Sequence, residues 1–230
     1  MLLSVDHIDV FYGRARVLSE VSLQAGQGEI VFIVGRNGAG KTTMLKTIAG
    51  FLRPARGSIK FAGEEIAGWP ADKVARLGIR YVFQDKRVFT KLTVRENIEL
   101  AAYAAGVKQS DALDRVVQIY PKISRFLESK AGGLSGGQRQ LLLIGRAVVG
   151  SPRLLLVDEP TEGLAAGTID EVLKALELMR GEVSMVIVEQ NLSVVARLAD
   201  RIYCMKEGHI PAELSEPADM QNQSYLETYL

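Results

Sequence analysis

The sequence predicts an α/β fold with a mostly parallel sheet, an antiparallel β part at the N-terminus and an inserted helical subdomain. Short apolar runs rich in β-branched residues alternate with amphipathic stretches, as they do where helices link buried parallel strands. Residues 3–11 instead alternate apolar and polar side chains, which is typical of an antiparallel strand with one exposed face. Residues 85–150 have the spacing of helices. We therefore expect one domain of 230 residues, with its core at 1–84 and 151–230.

Each element of the core is predicted from its own pattern. Buried strands are expected where short apolar runs end at a turn or a polar residue, at 30–34, 79–83, 154–157 and 185–188. Antiparallel strands are expected at 3–11 and 57–61, and a helix at 42–49 follows the first buried run. A further strand at 201–205 would bury Cys204 as a small apolar side chain.

Three helices are predicted in the insertion. The first begins at Thr93-x-x-Glu96, a capping box in which the hydroxyl accepts from an early N–H and the carboxylate reaches back. Gly106 is expected to end that helix. The second covers residues 111–119 and the third residues 137–149, with apolar side chains on one face. The segment is therefore a helical insertion into the α/β core.

Composition and charge argue against several classes of protein. Lys and Arg total 28 against 27 Asp and Glu, a net charge of +1, which opposes broad electrostatic binding to nucleic acid or acidic lipid. The longest uninterrupted apolar run covers only residues 100–105, far short of the roughly 18 residues of a membrane-spanning helix. The single cysteine permits no internal disulfide, and no secretory signal is expected. We expect a soluble cytosolic chain.

A phosphate-binding loop is predicted at residues 35–43. Their sequence G-R-N-G-A-G-K-T-T matches G-x-x-x-x-G-K-[ST], and glycines let backbone N–H groups turn toward phosphate oxygens at a helix N-terminus. Lys41 is expected to reach the β- and γ-phosphates, and the Thr42 hydroxyl to bind Mg²⁺. The simpler alternative is an ordinary glycine turn. The residues expected to bind the triphosphate are Gly35, Asn37, Gly38, Ala39, Gly40, Lys41, Thr42 and Thr43.

Two carboxylates follow the predicted strand 154–157. A carboxylate at the C-terminal end of a sheet strand lies where ligands bind in open α/β sheets. Asp158 therefore suits Mg²⁺, and Glu159 is placed to accept a proton from, or orient, an attacking water. The alternative is a solvated turn before Pro160.

A serine and two glycines open the third helix of the insertion, in the run L-S-G-G-Q. Ser135 offers a hydroxyl, and Gly136 and Gly137 leave N–H groups unobstructed, an arrangement that binds anions. Taken alone, the run is better explained by an N-cap followed by a flexible turn.

In their order along the chain, G-R-N-G-A-G-K-T-T, L-S-G-G-Q and L-L-L-V-D-E-P resemble the ATP-binding subunits of ATP-binding cassette (ABC) transporters. The resemblance covers essentially the whole chain and implies a P-loop nucleoside triphosphatase core that hydrolyses ATP with Mg²⁺. It implies a head-to-tail dimer in which Ser135, Gly136 and Gly137 contact the ATP of the other subunit. It also implies that Tyr12 stacks on adenine and that Gln84 contacts Mg²⁺ and the attacking water. The simpler alternatives for these two are a sheet-edge tyrosine and an exposed glutamine.

Two departures from the family pattern indicate which group within the family the chain is most similar to. The family usually has a histidine beside the γ-phosphate where this chain has Gln190, which forms hydrogen bonds but holds no charge near pH 7. His7 and His209 lie elsewhere and are expected at the surface. Residues 161–166, T-E-G-L-A-A, lack the aspartate common in that loop. This loop and V-E-Q-N at 188–191 are similar to the LivF-like second ATPase of branched-chain amino acid importers.

The resemblance also implies partners and a location. The partners are membrane permeases, a second ATPase subunit and, indirectly, an extracytoplasmic solute-binding protein, with no nucleic acid. The chain is expected at the cytoplasmic face of the inner membrane, and a heteromer is favoured over a homodimer. Residues 85–92 are expected to meet a permease, although Lys86, Arg87 and Lys91 equally suit a solvated surface.

Three alternative functions stay open from the sequence. They are the ATPase of a urea or short-chain amide importer, a soluble ABC-type ATPase without a transport role, and a module that holds ATP without hydrolysing it. The predicted catalytic residues, which oppose the last alternative, are Glu159, Gln84, Gln190 and Lys41. The predicted metal ligands are Thr42, Gln84 and Asp158.

Overall fold

The computed structural model describes residues 1–221 and 226–228. The strands are β1 (Leu3–Tyr12), β2 (Ala15–Ala25), β3 (Ile30–Val34), β4 (Arg56–Phe61), β5 (Glu64–Glu65), β6 (Ile79–Val82), β7 (Leu154–Asp158), β8 (Ser184–Glu189), β9 (Arg201–Lys206) and β10 (His209–Leu214). The helices are α1 (Lys41–Ile48), α2 (Ala71–Arg76), α3 (Val94–Ala105), α4 (Gln109–Ile119), α5 (Gly136–Ala147), α6 (Ala166–Glu177), α7 (Leu192–Leu198) and α8 (Pro217–Gln221). Two 3₁₀ turns, Pro121–Phe126 and Ala131–Gly133, lie between α4 and α5.

The central sheet has six strands in the order β10-β9-β3-β8-β7-β6. The strands from β9 to β6 are parallel, and β10 pairs antiparallel with β9 at one edge. Strands β3, β7 and β8 are buried along their whole length, because other elements cover both faces of the sheet. The neighbouring strands β3, β8, β7 and β6 therefore end at one edge and bring together the residues that follow them. The predicted α/β fold is confirmed.

The second sheet is antiparallel, in the order β2-β1-β4-β5. Its strands β1 and β4 confirm the antiparallel strands predicted at 3–11 and 57–61. The sequence pattern does not reveal β2, because register shifts against β1 interrupt its alternation. The alternation breaks at Glu20, which has a φ of 52°. Leu18 and Val21 are both buried although they are three residues apart, whereas side chains on one face of a regular strand are an even number of residues apart.

The insertion contains the three predicted helices. Thr93 Oγ1 accepts from the Glu96 N–H at 3.0 Å, and Glu96 Oε2 accepts from the Thr93 N–H at 2.6 Å, so both halves of the capping box are present at α3. Gly106 ends α3 with a φ of 69°. Helix α5 begins at Gly136, one residue earlier than the pattern predicts, and it ends at Ala147, two residues earlier than predicted.

Two apolar clusters fill the molecule, one on each face of the central sheet, because successive residues of β3, β7 and β8 contribute to opposite clusters. One cluster joins the sheet to the insertion and to α6 and α7, and the other joins it to the antiparallel sheet and α1. Cys204 is buried in the first cluster, and His7 and His209 are exposed, as predicted. No helix among the described residues is long and apolar enough to cross a membrane.

Asp9 on β1 is a buried carboxylate that joins parts of the antiparallel sheet. Its side chain is 4% exposed, and Oδ1 accepts from the Glu20 N–H at 2.9 Å and from Arg16 at 2.5 Å. Arg56 lies 3.7 Å from Oδ2. The Glu20 N–H and then the Arg16 guanidinium hold the pKa of Asp9 below its usual value, against the effect of burial.

Replacing Asp9 by asparagine is expected to lower the free energy of unfolding by about 1–3 kcal/mol at pH 7, because the Glu20 N–H and the Arg16 guanidinium lose a charged acceptor. The folded pKa is lowered, so this contribution is fully present above the pKa of an unfolded aspartate, about 4, and is lost as the pH falls toward the folded pKa. Urea unfolding at several pH values measures the difference. The control Asp6→Asn, at a side chain that is 68% exposed, is expected to change little. Equal stability of Asp9→Asn and the parent at pH 7 would contradict this role.

Candidate active site

The phosphate-binding loop joins β3 to α1, and two glycines shape it. A Cβ on Gly35 would lie 2.2 Å from the carbonyl oxygen of Met205 on β9, so no side chain fits there. Gly40 has a φ of 109°, which L side chains rarely adopt, and α1 begins directly after it at Lys41. The loop therefore brings the N-terminus of α1 to the edge of the sheet where the parallel strands end, a position that favours phosphate.

Lys41 is buried at the start of α1, and its side chain folds back onto the loop. The side chain is 4% exposed, and Nζ donates to the carbonyl oxygens of Gly35 at 2.7 Å and Arg36 at 3.2 Å. The same ammonium lies 3.5 Å from Oε1 of Glu159. Lys41 thus joins the two halves of the site that the sequence predicts separately.

The other predicted nucleotide ligands lie on the loop, on the first turn of α1 and at the end of β1. Asn37 and Gly38 are exposed on the loop, and Ala39 and Thr43 are buried beside it. Tyr12, the last residue of β1, is 47% exposed. Its ring therefore has an accessible surface of the kind that an adenine base could stack on.

Asp158 ends β7 with a hydrogen bond to each carboxylate oxygen. Thr42 Oγ1 donates to Oδ1 at 3.0 Å, and the Tyr81 hydroxyl donates to Oδ2 at 2.8 Å. Burial raises the pKa of Asp158, and the bonds from Tyr81 and Thr42 oppose that rise. Sequence reasoning missed Tyr81, whose contact with Asp158 depends on β6 and β7 being neighbours.

The residues around Asp158 fit Mg²⁺. A threonine hydroxyl and a carboxylate in contact are the hard oxygen ligands that this ion prefers. Among the described residues, no group of three or more His, Cys, Asp or Glu could hold a metal without other ligands. Mg²⁺ suits such a site, because it commonly binds through one or two protein oxygens together with substrate phosphates and water.

Glu159 follows β7, with its carboxylate near the phosphate-binding loop. Its φ of 46° lies in the left-handed region, and its N–H donates to the Val188 oxygen at 3.0 Å. Burial raises the pKa of Glu159; Lys41 acts against the rise and Glu162 adds to it. A carboxylate with a raised pKa is a stronger proton acceptor than an ordinary exposed one.

Two glutamines, which follow the strands on either side of β7, contact Glu159. Gln84, after β6, donates from Nε2 to Oε2 of Glu159 at 3.0 Å and to Oε2 of Glu162 at 2.9 Å. Gln190, after β8, donates from Nε2 to Oδ1 of Asn37 and, at 3.4 Å, to Oε1 of Glu159. The structure thus brings the four predicted catalytic side chains together, with Glu162 as an additional member that sequence reasoning missed.

The serine-glycine motif at the start of α5 lies apart from this cluster. Ser135 Oγ accepts from the Gln138 N–H at 3.2 Å, and the Gln138 side chain accepts from the Ser135 N–H at 2.9 Å. A Cβ on Gly137 would lie 2.0 Å from Cγ2 of Thr168 on α6, so only glycine fits. Ser135 and Gly136 are exposed, and in the described part of the chain no hydrogen bond joins this motif to the phosphate-binding loop.

Comparison with known proteins identifies the family. Residues 18–162, which include all three motifs, match the family described as ABC transporter. The chain is 38% identical over 231 residues to the high-affinity branched-chain amino acid transport ATP-binding protein BraG of Pseudomonas aeruginosa, covering 100% of this chain and 99% of that protein. It is 33% identical over 202 residues to the probable branched-chain amino acid transport ATP-binding protein LivF of Archaeoglobus fulgidus, covering 86% of each.

Solved structures of ATP-binding cassettes share the fold. The ADP conformation of an ATP-binding cassette of an ABC transporter gives a TM-score of 0.84 at 27% identity, covering 99% of this chain and 98% of that one. A dimeric ATP-binding cassette in a post-hydrolysis state, bound to ADP and phosphate, gives 0.83 at 26% identity, covering 93% and 98%. The family match, the relatives and the shared fold show that the chain belongs to the ABC transporter family, as an ATP-binding subunit whose ATPase activity is coupled to transport.

Proposed function

We propose that this ATPase subunit powers the import of branched-chain amino acids. The observation that carries the proposal is the 38% identity to BraG, named for high-affinity branched-chain amino acid transport, over the full length of both chains. The likeness to a LivF protein supports it. A urea or short-chain amide importer and a soluble ABC-type ATPase are not favoured, because these relatives are named for neither role.

In the proposed mechanism, the phosphate-binding loop and the N-terminus of α1 hold the triphosphate of ATP. Lys41, already directed into the loop, contacts the β- and γ-phosphates. Tyr12 stacks on the adenine. Thr42, Asp158 and Gln84 would hold Mg²⁺, which supplies positive charge that offsets the negative charge of the phosphates.

Glu159 is proposed to accept a proton from the water that attacks the γ-phosphate. Gln84 and Gln190 hold its carboxylate by hydrogen bonds, and the Lys41 ammonium lies 3.5 Å from Oε1. The Glu159 carboxylate is therefore held by a glutamine on each side and by the lysine of the phosphate-binding loop before ATP binds. Because Gln190 is neutral, the positive side chain that remains beside the γ-phosphate is Lys41.

A second ATPase subunit is proposed to complete each ATP site. Ser135 and Gly136 are exposed at the N-terminus of α5, where a hydroxyl and backbone N–H groups could reach a phosphate held by another chain. In a head-to-tail dimer, these groups and Gly137 would close over the ATP on the partner's loop. A heteromer is supported by the relatives named LivG and LivF, two separate ATP-binding proteins of Archaeoglobus fulgidus.

A cleft of about 1010 Å³ between the core and the insertion is proposed to receive a cytoplasmic segment of a permease. Helix α2, strand β6 and the residues that follow form one wall, and α3 and α5 form the other. Asp85 and Arg87 of the predicted permease-binding segment 85–92 line it. This placement would hold the chain at the cytoplasmic face of the inner membrane, with the solute-binding protein reached only through the permeases.

The charges of the cleft favour an acidic partner segment. Two of its four arginines pair with aspartates, in Arg76–Asp72 at 3.5 Å and Arg87–Asp85 at 2.7 Å. Arg80 donates to backbone carbonyls, and Arg146 lies half-buried 4.8 Å above the Phe89 ring with Nε unpartnered. Within residues 1–221 and 226–228 these two cations have no carboxylate partner. A carboxylate on the permease segment would pair with them.

Charge reversal at Arg146 tests this docking. Arg146→Glu is expected to reduce the amount of permease that copurifies with the tagged chain from membranes by about tenfold, because it places a like charge against the acidic segment. ATP binding should be unchanged, since Arg146 is not in contact with the nucleotide site. Lys60→Glu, on the exposed side of β4, is the control. Undiminished recovery of permease with Arg146→Glu would contradict the proposed acidic contact.

Uptake by cells that lack this chain tests the transported substrate. The parent chain is expected to restore uptake of leucine, isoleucine and valine, and not of urea or short-chain amides. Glu159→Gln, expressed at the same level, should restore none. Restored uptake of urea or an amide without the amino acids would contradict the proposed substrate.

A further inference from the structure

Glu189, the last residue of β8, is a buried carboxylate that the mechanism above does not use. It is 3% exposed, although ionised side chains are rarely buried without a counter-charge. In the described part of the chain no lysine or arginine forms an ion pair with it, and its partners are hydrogen-bond donors instead. An apolar side chain would fill this place at lower cost, so the charge calls for a specific explanation.

The two carboxylate oxygens of Glu189 hold two different loops. Oε1 accepts from the Thr161 N–H at 3.1 Å and from the Thr161 hydroxyl at 2.5 Å. Oε2 accepts from the N–H groups of Gln190 at 2.9 Å and Asn191 at 3.1 Å. The first loop follows β7 and carries Glu159, and the second follows β8 and carries Gln190. One side chain therefore connects the backbones that carry two of the predicted catalytic residues.

Only a carboxylate suits this set of four donors. An ionised carboxylate is acceptor-only, with two oxygens that can each accept two hydrogen bonds. A glutamine at the same place would turn its NH₂ group toward one of the two loops. The backbone N–H of that loop would then face another donor and lose its acceptor. An aspartate keeps the charge but is shorter by one methylene, so it could not hold both loops at the same distances.

We propose that Glu189 is a positioning residue for ATP hydrolysis. By fixing the backbone of Gln190 against the loop that carries Glu159, it keeps the Gln190 amide within reach of both Asn37 and Oε1 of Glu159. Glu189 acts through these residues and does not touch the nucleotide. The inference builds on the proposed catalytic roles of Glu159 and Gln190.

Steady-state ATPase kinetics of the assembled transporter test the proposal. Glu189→Gln is expected to lower kcat by about 10–100-fold, the usual effect of losing a group that orients a catalytic residue, while KM for ATP changes less than about threefold. Glu189→Asp should recover part of kcat. Glu64→Gln, at an exposed residue of β5, is the matched control and should leave both constants unchanged.

A double variant separates positioning from a general effect on the fold. If Glu189 acts through Gln190, the double variant Glu189→Gln/Gln190→Ala should be no slower than the slower of the two single variants. A purely structural defect would multiply with Gln190→Ala and would also raise KM. Multiplying effects would therefore overturn the proposal, and so would a folded Glu189→Gln transporter with the parent kcat.

A milder variant keeps the test decisive if Glu189→Gln does not fold. Thr161→Val removes only the hydroxyl that donates to Oε1, and it should lower kcat by several-fold, whereas Thr161→Ser retains the donor and should keep the parent kcat. Parent kcat in Thr161→Val would overturn the proposal. Glu159→Gln is measured in parallel: if it is inactive while Glu189→Gln is parent-like, only the positioning role fails, and if it is fully active the proposed hydrolytic mechanism fails as well.

Discussion

Replacing Glu159 by glutamine is expected to slow ATP turnover by about 10²–10⁴-fold and to leave the affinity for ATP close to that of the parent chain. Glutamine has nearly the same size and can keep a hydrogen bond to Gln84, but it cannot accept a proton from water. Phosphate release in a single turnover and equilibrium binding of ATP measure the two properties separately.

The exposed Glu64 provides the control for this variant, since Glu64→Gln makes the same chemical change away from the site. It should hydrolyse ATP at the parent rate. Parent-like phosphate release by Glu159→Gln would show that another group is the base. Loss of ATP binding by that variant would instead mean that Glu159 supports the binding site rather than the chemical step.

Replacing Lys41 by alanine is expected to weaken ATP binding by about 10–100-fold, because a charge-assisted hydrogen bond to phosphate contributes about 1.5–3 kcal/mol. Hydrolysis should fall at least as much, since the Lys41 ammonium also lies 3.5 Å from Oε1 of Glu159. Calorimetric titration with ATP and with AMP measures the effect. AMP lacks the β- and γ-phosphates, so its affinity should be nearly unchanged.

The comparison of ATP with AMP guards against a folding defect in the Lys41 variant. An equal loss of affinity for both nucleotides would contradict the assigned contact with the outer phosphates. Lys60→Ala, which removes an exposed lysine on β4, is the control and should bind ATP as the parent does.

The parts of the site that the sequence predicts are those encoded by contiguous residues. Each of three motifs has its turn residues and its ligand-binding groups within a few consecutive positions, so a short sequence pattern is enough to find it. They are the phosphate-binding loop, the carboxylates after β7 and the serine-glycine start of α5. The capping box at Thr93 is predictable for the same reason. None of these patterns needs knowledge of which strands are neighbours.

The contacts that the sequence could not predict depend on strand order and on local irregularity. Strands β6, β7 and β8 are far apart in the sequence but lie side by side in the sheet. This order brings Tyr81 to Asp158 and Glu189 to Thr161. Strand β10 contains Pro211, which argues against a strand in a central position, but β10 is an edge strand whose partner, among the described residues, is β9. Periodicity alone cannot supply either kind of information.

Import of branched-chain amino acids, driven by ATP hydrolysis on this chain, is the function that we propose. Its most direct test is to measure leucine accumulation together with phosphate release in proteoliposomes that contain the transporter with its solute-binding protein. We predict that leucine accumulates only when ATP is supplied on the side of this chain, and that Glu159→Gln lowers both accumulation and phosphate release from its own site by at least about 100-fold. ATP hydrolysis with no accumulation of leucine, isoleucine or valine would contradict the claim.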